Sequence, residues 1–142
     1  MFEPTNRPQR WTVGVLADFV SAFERHDVAK LAALLHADVI SAMPPVAFWM
    51  SGITDVTRAF AETDGCVGHR LVPTGANGGP AFGQYAPDGG VLRPFALLLV
   101  ELVDGRISRM TTCLDLTDRF AAFGLPASLP ADRRWPAVGA ST

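Results

Sequence analysis

The sequence predicts an α+β fold: a curved sheet of mixed or antiparallel strands packed on three N-terminal helices, with a mostly apolar pocket expected between them. Two observations predict the fold class. Apolar residues in the first part of the chain recur at helical spacing, and beyond residue 65 the repeat becomes extended, punctuated by Asn-Gly and Asp-Gly turns. Helices first and a meander of strands after is the α+β order, unlike the alternation of a parallel α/β sheet.

Each element follows from its residues. Trp11, Val15, Phe19 and Phe23 recur every fourth residue with Leu16 and Val20 beside them, one apolar stripe on a helix over residues 8–26. Pro8 suits its first turn. Asp27 can cap a second, shorter helix whose Leu31, Leu34 and Leu35 form the buried face. Residues 38–43 are expected to be extended until Pro44-Pro45 stops them, and residues 46–50 form a short strand or a pocket-lining loop. Ser51-Gly52 opens a third helix in which Ile53, Val56 and Phe60 share a face. Strands follow at 69–74 and 81–85, with a turn at Asn77-Gly78-Gly79 between them and a loop at 87–90. The clearest element is the hairpin of residues 95–103 and 106–115 around Asp104-Gly105, a two-residue turn whose central residues both need positive φ. A short amphipathic segment at 118–123 precedes Gly124-Leu125-Pro126, and residues 127–142 form a loosely held tail.

Composition bounds the function. The 142 residues suffice for one core and not two, so a single domain is expected. With 49% hydrophobic and 18% charged residues the chain is not disordered. A net charge of -2 and the lack of a basic block argue against nucleic-acid and membrane partners. Cys66 and Cys113 show no disulfide or metal spacing; with no signal peptide they indicate free thiols in the cytoplasm. No metal and no cofactor is implied.

If Val103 pairs with Arg106, the hairpin puts Leu102, Val100, Leu98 and Ala96 on one face with Ile107, Arg109, Thr111, Cys113 and Asp115. Leu99, Leu97 and Phe95 then share the other face with Met110, Thr112 and Leu114. A β-bulge in the last strand would shift this register. Both faces are largely apolar, so one is expected to line the pocket and the other to bury a second copy of the chain, a homodimer through the sheet.

Three segments carry a family resemblance: Phe19-Val-Ser-Ala-Phe-Glu-Arg-His-Asp-Val-Ala-Lys-Leu31, Met43-Pro-Pro45, and Asp104-Gly-Arg-Ile107 running on to Cys113-Leu-Asp115-Leu116. Together they resemble the SnoaL-like superfamily, which shares the cystatin-like cone of nuclear transport factor two. Two branches are most similar, the limonene-epoxide-hydrolase group and the C-terminal accessory domain of extracytoplasmic-function sigma factors. Arg70-Leu-Val-Pro-Thr-Gly-Ala-Asn-Gly78, Pro80-Ala-Phe-Gly-Gln-Tyr85 and Phe123-Gly-Leu-Pro126 resemble the second branch in particular. The polymerase- and promoter-binding helices of sigma factors have no counterpart in this sequence.

Carried over position by position, the resemblance removes most of the family's chemistry. The carboxylate base of ketosteroid isomerases falls at Met43, their oxyanion tyrosine at Phe19 and their protonated acid near Leu98. The Tyr and Asn of epoxide hydrolases fall at Ile40 and Ala42, and their Arg–Asp pair around Gln84 and Ala86. Asp115 alone matches, as the late aspartate that polyketide cyclases use as acid and base.

Asp115 is therefore the expected catalytic group, since a carboxylate in an apolar cavity has a raised pKa suited to proton transfer near neutrality. The alternative is that it caps the following helix or pairs with Arg119. His69, at a strand start, is the candidate assisting base; His26 and His36 suit structural places at helix C-termini. Met43, Phe19, Trp49, Phe82, Gln84, Tyr85 and Arg93 are expected to bind substrate, with Gln84 orienting a ligand oxygen, Arg93 meeting a carboxylate or enolate, and Trp49, Phe48, Phe82 and Tyr85 lining or roofing the cavity. Two functions result. One is a cofactor-free cyclase, isomerase or epoxide hydrolase acting on an apolar, polyketide- or terpenoid-like substrate. The other is a ligand-binding or regulatory module that kept the pocket without the chemistry.

Overall fold

The computed structural model describes residues 9–46, 49–62, 67–76 and 79–130. The expectations for Phe48, Cys66, the Asn77-Gly78 turn and the tail beyond residue 130 lie outside these residues.

The helices form where the apolar spacing places them. Helix α1, Gln9–Glu24, buries Leu16, Phe19, Val20 and Ala22 along one stripe. Burying a side chain the size of Phe19 stabilises the fold by roughly 1.5–3 kcal/mol. The helix ends at Glu24, and the turn after it includes His26, whose φ of 54° is left-handed. The strain of that conformation is offset by a bond from the His26 ring to the Phe60 carbonyl at 2.7 Å, which ties α1 to α3. Helix α2, Val28–Leu34, is capped as expected: the Asp27 carboxylate accepts the Lys30 amide. Helix α3, Ile53–Glu62, follows Gly52, whose φ of 90° suits glycine alone.

Among the described residues, seven strands make one mixed sheet. They are β1 (Leu35–Ala42), β2 (Trp49–Ser51), β3 (Arg70–Ala76), β4 (Gly79–Asp88), β5 (Val91–Val103), β6 (Arg106–Cys113) and β7 (Leu129–Pro130). Their order is β2-β1-β6-β5-β4-β3, with β7 added to β5. The β1–β6 pair is parallel and the remaining pairs are antiparallel. The β5–β6 turn carries φ values of 53° at Asp104 and 76° at Gly105, the positive pair that Asp-Gly predicts. Loop 87–90 is shorter than expected, since β4 runs to Asp88 and β5 begins at Val91.

One bulge corrects the expected assignment of faces. Leu102 pairs with Ile107, but Glu101 pairs with Arg109, leaving Ser108 as the extra residue of β6. From there on every β6 side chain changes side relative to the simple hairpin. Leu98 stands opposite Thr112 and Val100 opposite Met110, on the inner face toward the helices. Cys113 stands opposite Leu97 on the outer face.

That outer face is covered by the chain's own C-terminal part. A 3-10 helix, Thr117–Phe123, and the following Leu125 and Leu129 pack on Val72, Leu97 and Cys113. Val72, Gly83, Leu97 and Cys113 form one row across four strands, and Gly83 is its notch. A Cβ on Gly83 would lie 2.8 Å from Leu125 Cδ1 and 3.1 Å from the Phe120 ring. Thr74 donates to the Phe123 carbonyl and Tyr85 to the Pro126 carbonyl, both at 2.6 Å, which fixes the segment over the notch. The outer apolar surface that suggested a second copy is occupied here by residues 117–129.

Candidate functional site

The inner face and the helices do not close completely on one another. Between them lies a cavity of about 280 Å³. Phe19 and Phe23 of α1, Leu31 of α2, and Val56, Ala59 and Phe60 of α3 form its helical wall. Ser41, Met50, Gln84, Phe95, Leu98, Met110 and Thr112 form the sheet wall, and Met43 adds to it just after β1. Met43 is held there by its turn: the Pro44 carbonyl accepts the Leu114 amide at 2.9 Å and the Met43 carbonyl accepts that of Val46. The rings of Phe19, Phe23 and Phe60 meet in sequence, with centroids 6.0 and 5.9 Å apart. Such tilted ring pairs make a firm apolar wall.

Polar groups at the cavity are few. Ser41, Gln84 and Thr112 are its polar lining residues, and among the described residues no ionisable side chain lines it. Gln84 is 2% exposed and its amide nitrogen lies 2.9 Å from Nδ1 of His69, itself 4% exposed. These are the fully buried polar side chains among the described residues. His69 also meets the Phe95 ring edge-on at 5.0 Å. Phe95 reaches the cavity because of a second bulge: Gln84 pairs with Ala96 and Tyr85 with Pro94, so Phe95 is the unpaired residue between. Nearby, the Glu24 carboxylate accepts the Leu71 amide at 2.8 Å, tying the end of α1 to β3.

The expected site residues therefore separate. Met43, Phe19 and Gln84 line the cavity, and His69 stands behind Gln84. Phe82 is core, 1% exposed and packed on Phe19 with ring centroids 5.7 Å apart. Trp49 is 64% exposed: Met50 pairs with Ser41 and points inward, so its neighbour on β2 points out. Tyr85 lies on the outer face against Phe120, and burial pushes its hydroxyl up to about 12. Arg93 is exposed and bonded to Asp88 at 2.9 Å.

Asp115 is exposed, in the turn two residues past Cys113, and is not among the cavity-lining residues. The expectation that it shares the cavity face depended on the bulge-free register. It does not cap the 3-10 helix either, whose N-cap is Leu116 without a side-chain bond. Its charge is felt at Cys113, where burial first and the Asp115 carboxylate second raise the thiol pKa. Among the described residues no three His, Cys, Asp or Glu side chains gather closely enough to hold a metal ion, and no helix is long and apolar enough to cross a membrane.

Several lining residues were not singled out from the sequence. Phe23, Val56 and Phe60 read as plain core faces, and the Phe19–Phe23 stripe of one helix together with Phe60 of the third was the available signal. Ser41, Thr112 and Phe95 depend on register and bulges, which spacing alone does not set.

Known proteins bear out the architecture. No family model matches the chain. Over 120 residues, 81% of the chain, it is 34% identical to the ECF RNA polymerase sigma factor SigG of Mycobacterium tuberculosis. The chain spans about a third of that factor's length, 32%. Among solved structures it resembles a candidate ketosteroid isomerase from Kribbella flavida, with a TM-score of 0.60 and 24% identity, covering 72% of this chain and 76% of that one. It also resembles an LEH-like epoxide hydrolase of M. tuberculosis, with a TM-score of 0.57 and 21% identity, covering 80% and 89%. Other neighbours are described as NTF2-like proteins of unknown function. At these identities the structural likeness establishes the fold, the cone-like α+β architecture of nuclear-transport-factor-two-like proteins. The function is not established by it.

Proposed function

We propose that this chain is a ligand-binding module whose cavity takes a small, neutral, largely apolar molecule. The observation that carries the reading is the lining: aromatic, aliphatic and methionine side chains, with three neutral polar residues and no carboxylate or cation among the described residues. A volume of about 280 Å³ suits a compact ligand at the small end of the usual range. The similarity to part of a sigma factor supports a regulatory use, in which occupancy of the cavity is read by other parts of a larger system.

The enzymatic alternative required Asp115 as a cavity acid and base. Asp115 is exposed and outside the lining, which favours the binding reading over that one. Neighbours named as isomerase and epoxide hydrolase support the cavity as a place where apolar molecules bind.

The test is saturable binding of the neutral apolar dye N-phenyl-1-naphthylamine, followed by its fluorescence. Ala59→Phe places a ring in the cavity and is expected to weaken binding by about tenfold or more, since a filled site cannot take the dye without strain. Asp115→Asn is expected to leave binding unchanged. Equal binding by wild type and Ala59→Phe would count against the cavity.

A further inference from the structure

We infer that the cavity's ligand is a flat aromatic molecule, held between a fixed wall of phenylalanine rings on the helices and a conforming wall of methionine thioethers on the sheet. The inference rests on the ligand-binding reading above and names the ligand class that the same cavity takes.

The placement of methionine carries it. The chain has four methionines, and all but Met1 line the cavity. Met50 and Met110 stand on either side of Ser41, and Met43, two residues further along, lines the cavity with them. The filled apolar region on the outer face is built instead from leucine, valine, aromatic side chains and Cys113, with no methionine among its described residues. Leucine and methionine have similar bulk. What methionine adds on the cavity side is an unbranched chain with three rotatable bonds and a polarizable sulfur that favours contact with aromatic rings.

The opposite wall differs in kind. Phe23 meets both Phe19 and Phe60, with ring centroids 6.0 and 5.9 Å away. Phe19 is backed by Phe82 at 5.7 Å, and Phe60 by the His26 ring at 4.4 Å, the ring that also bonds the Phe60 carbonyl. Each of the three therefore has two ring neighbours and little freedom to turn. This wall keeps its shape, and the methionines adapt to what lies against it.

An aromatic ligand gains on both sides. Ring pairs are favourable beyond the area they bury, and a thioether sulfur near a ring adds a further attraction. A saturated molecule of similar outline obtains the burial alone. The polar residues of the lining, Ser41, Gln84 and Thr112, are uncharged, which suits a neutral ring system.

Naphthalene and its saturated counterpart trans-decalin test this, each displacing N-phenyl-1-naphthylamine from the full chain. Decalin leaves water more readily, so the quantity read is the naphthalene-to-decalin affinity ratio in wild type against that in the double variant Met50→Leu/Met110→Leu, where the water contribution cancels. Leucine keeps the bulk and removes the sulfur. The double variant is expected to bind decalin within about twofold of wild type and to lower the ratio by about threefold or more, the worth of two sulfur–ring contacts. An unchanged or raised ratio overturns the inference. A second measurement needs no variant: in wild type, naphthalene protons should show intermolecular NOEs both to the methionine methyls and to the ring protons of Phe19, Phe23 and Phe60. NOEs to one wall alone overturn it. Displacement of the dye by decalin and not by naphthalene overturns the inference and leaves the cavity reading standing. If neither displaces the dye, the cavity reading fails and this inference with it.

Discussion

Tyr85 shows how a single residue can be read on the wrong face while its chemistry is plain. It is the one tyrosine of the chain, fully buried on the outer side of the sheet, with its hydroxyl donating to the Pro126 carbonyl. Burial raises its pKa from 10.0 to about 12. A group whose folded pKa is raised contributes stability that is complete below the unfolded value and is lost as pH rises toward the folded one. The stability of the wild type should therefore fall between pH 10 and about 12 by a component that Tyr85→Phe lacks, measured by denaturant unfolding across that range. Spectrophotometric titration of this lone phenol should give a midpoint near 12 when folded and near 10 in denaturant. At neutral pH Tyr85→Phe should cost about 1 kcal/mol, the net worth of the lost hydrogen bond. Met43 and Phe19 were legible as cavity residues through the resemblance, which puts catalytic positions of related folds there, and Gln84 through its place on a strand expected to face the cavity. Asp115 and Tyr85 were not, because the direction of a strand side chain depends on the register upstream of it.

At the level of elements, the sequence is informative wherever a local device sets the structure. The α1 and α3 stripes, the Asp27 cap and the Asp104-Gly105 turn all form as their residues predict. What was not legible is non-local. The parallel pairing of β1 with β6, the extra residue Ser108 and the unpaired Phe95 arise from fitting one sheet around the helices, and none has a short sequence signal. The 3-10 helix was visible as an amphipathic segment, but its seat was not, since that depends on Gly83 lying opposite Leu97 and beneath Leu125. Gly83→Ala should force Leu125 and Phe120 off the sheet. We expect a loss of about 1–3 kcal/mol in unfolding free energy from overpacking, measured by urea denaturation. Faster labelling of Cys113 by a thiol reagent should accompany it, because that thiol lies under the same segment. A variant as stable and as slowly labelled as wild type would show that the notch is not close-packed.

Across the described molecule, the sheet separates two apolar regions with different fates. The outer one is filled by the chain's own C-terminal residues, and the inner one is left with a cavity that the helices do not fill. The fold class was readable from the change of periodicity, because helical and extended repeats bury their faces in different ways. The existence of a cavity followed only from the resemblance, since no spacing distinguishes a filled core from a hollow one. Methionines provide the most direct view of that space. Met50 on β2 and Met110 on β6 flank Ser41 of β1, Met43 follows the end of β1, and all three line the cavity. Methyl-resolved NMR of the chain, labelled at methionine and leucine and titrated with naphthalene, should move all three methionine signals, and Leu98 with them, in one saturable transition. Leu125 and Leu129 on the outer face should stay in place. Ala59→Phe should suppress the shifts. Movement of the outer-face leucines with Met43, Met50 and Met110 unchanged would contradict the cavity as the binding site.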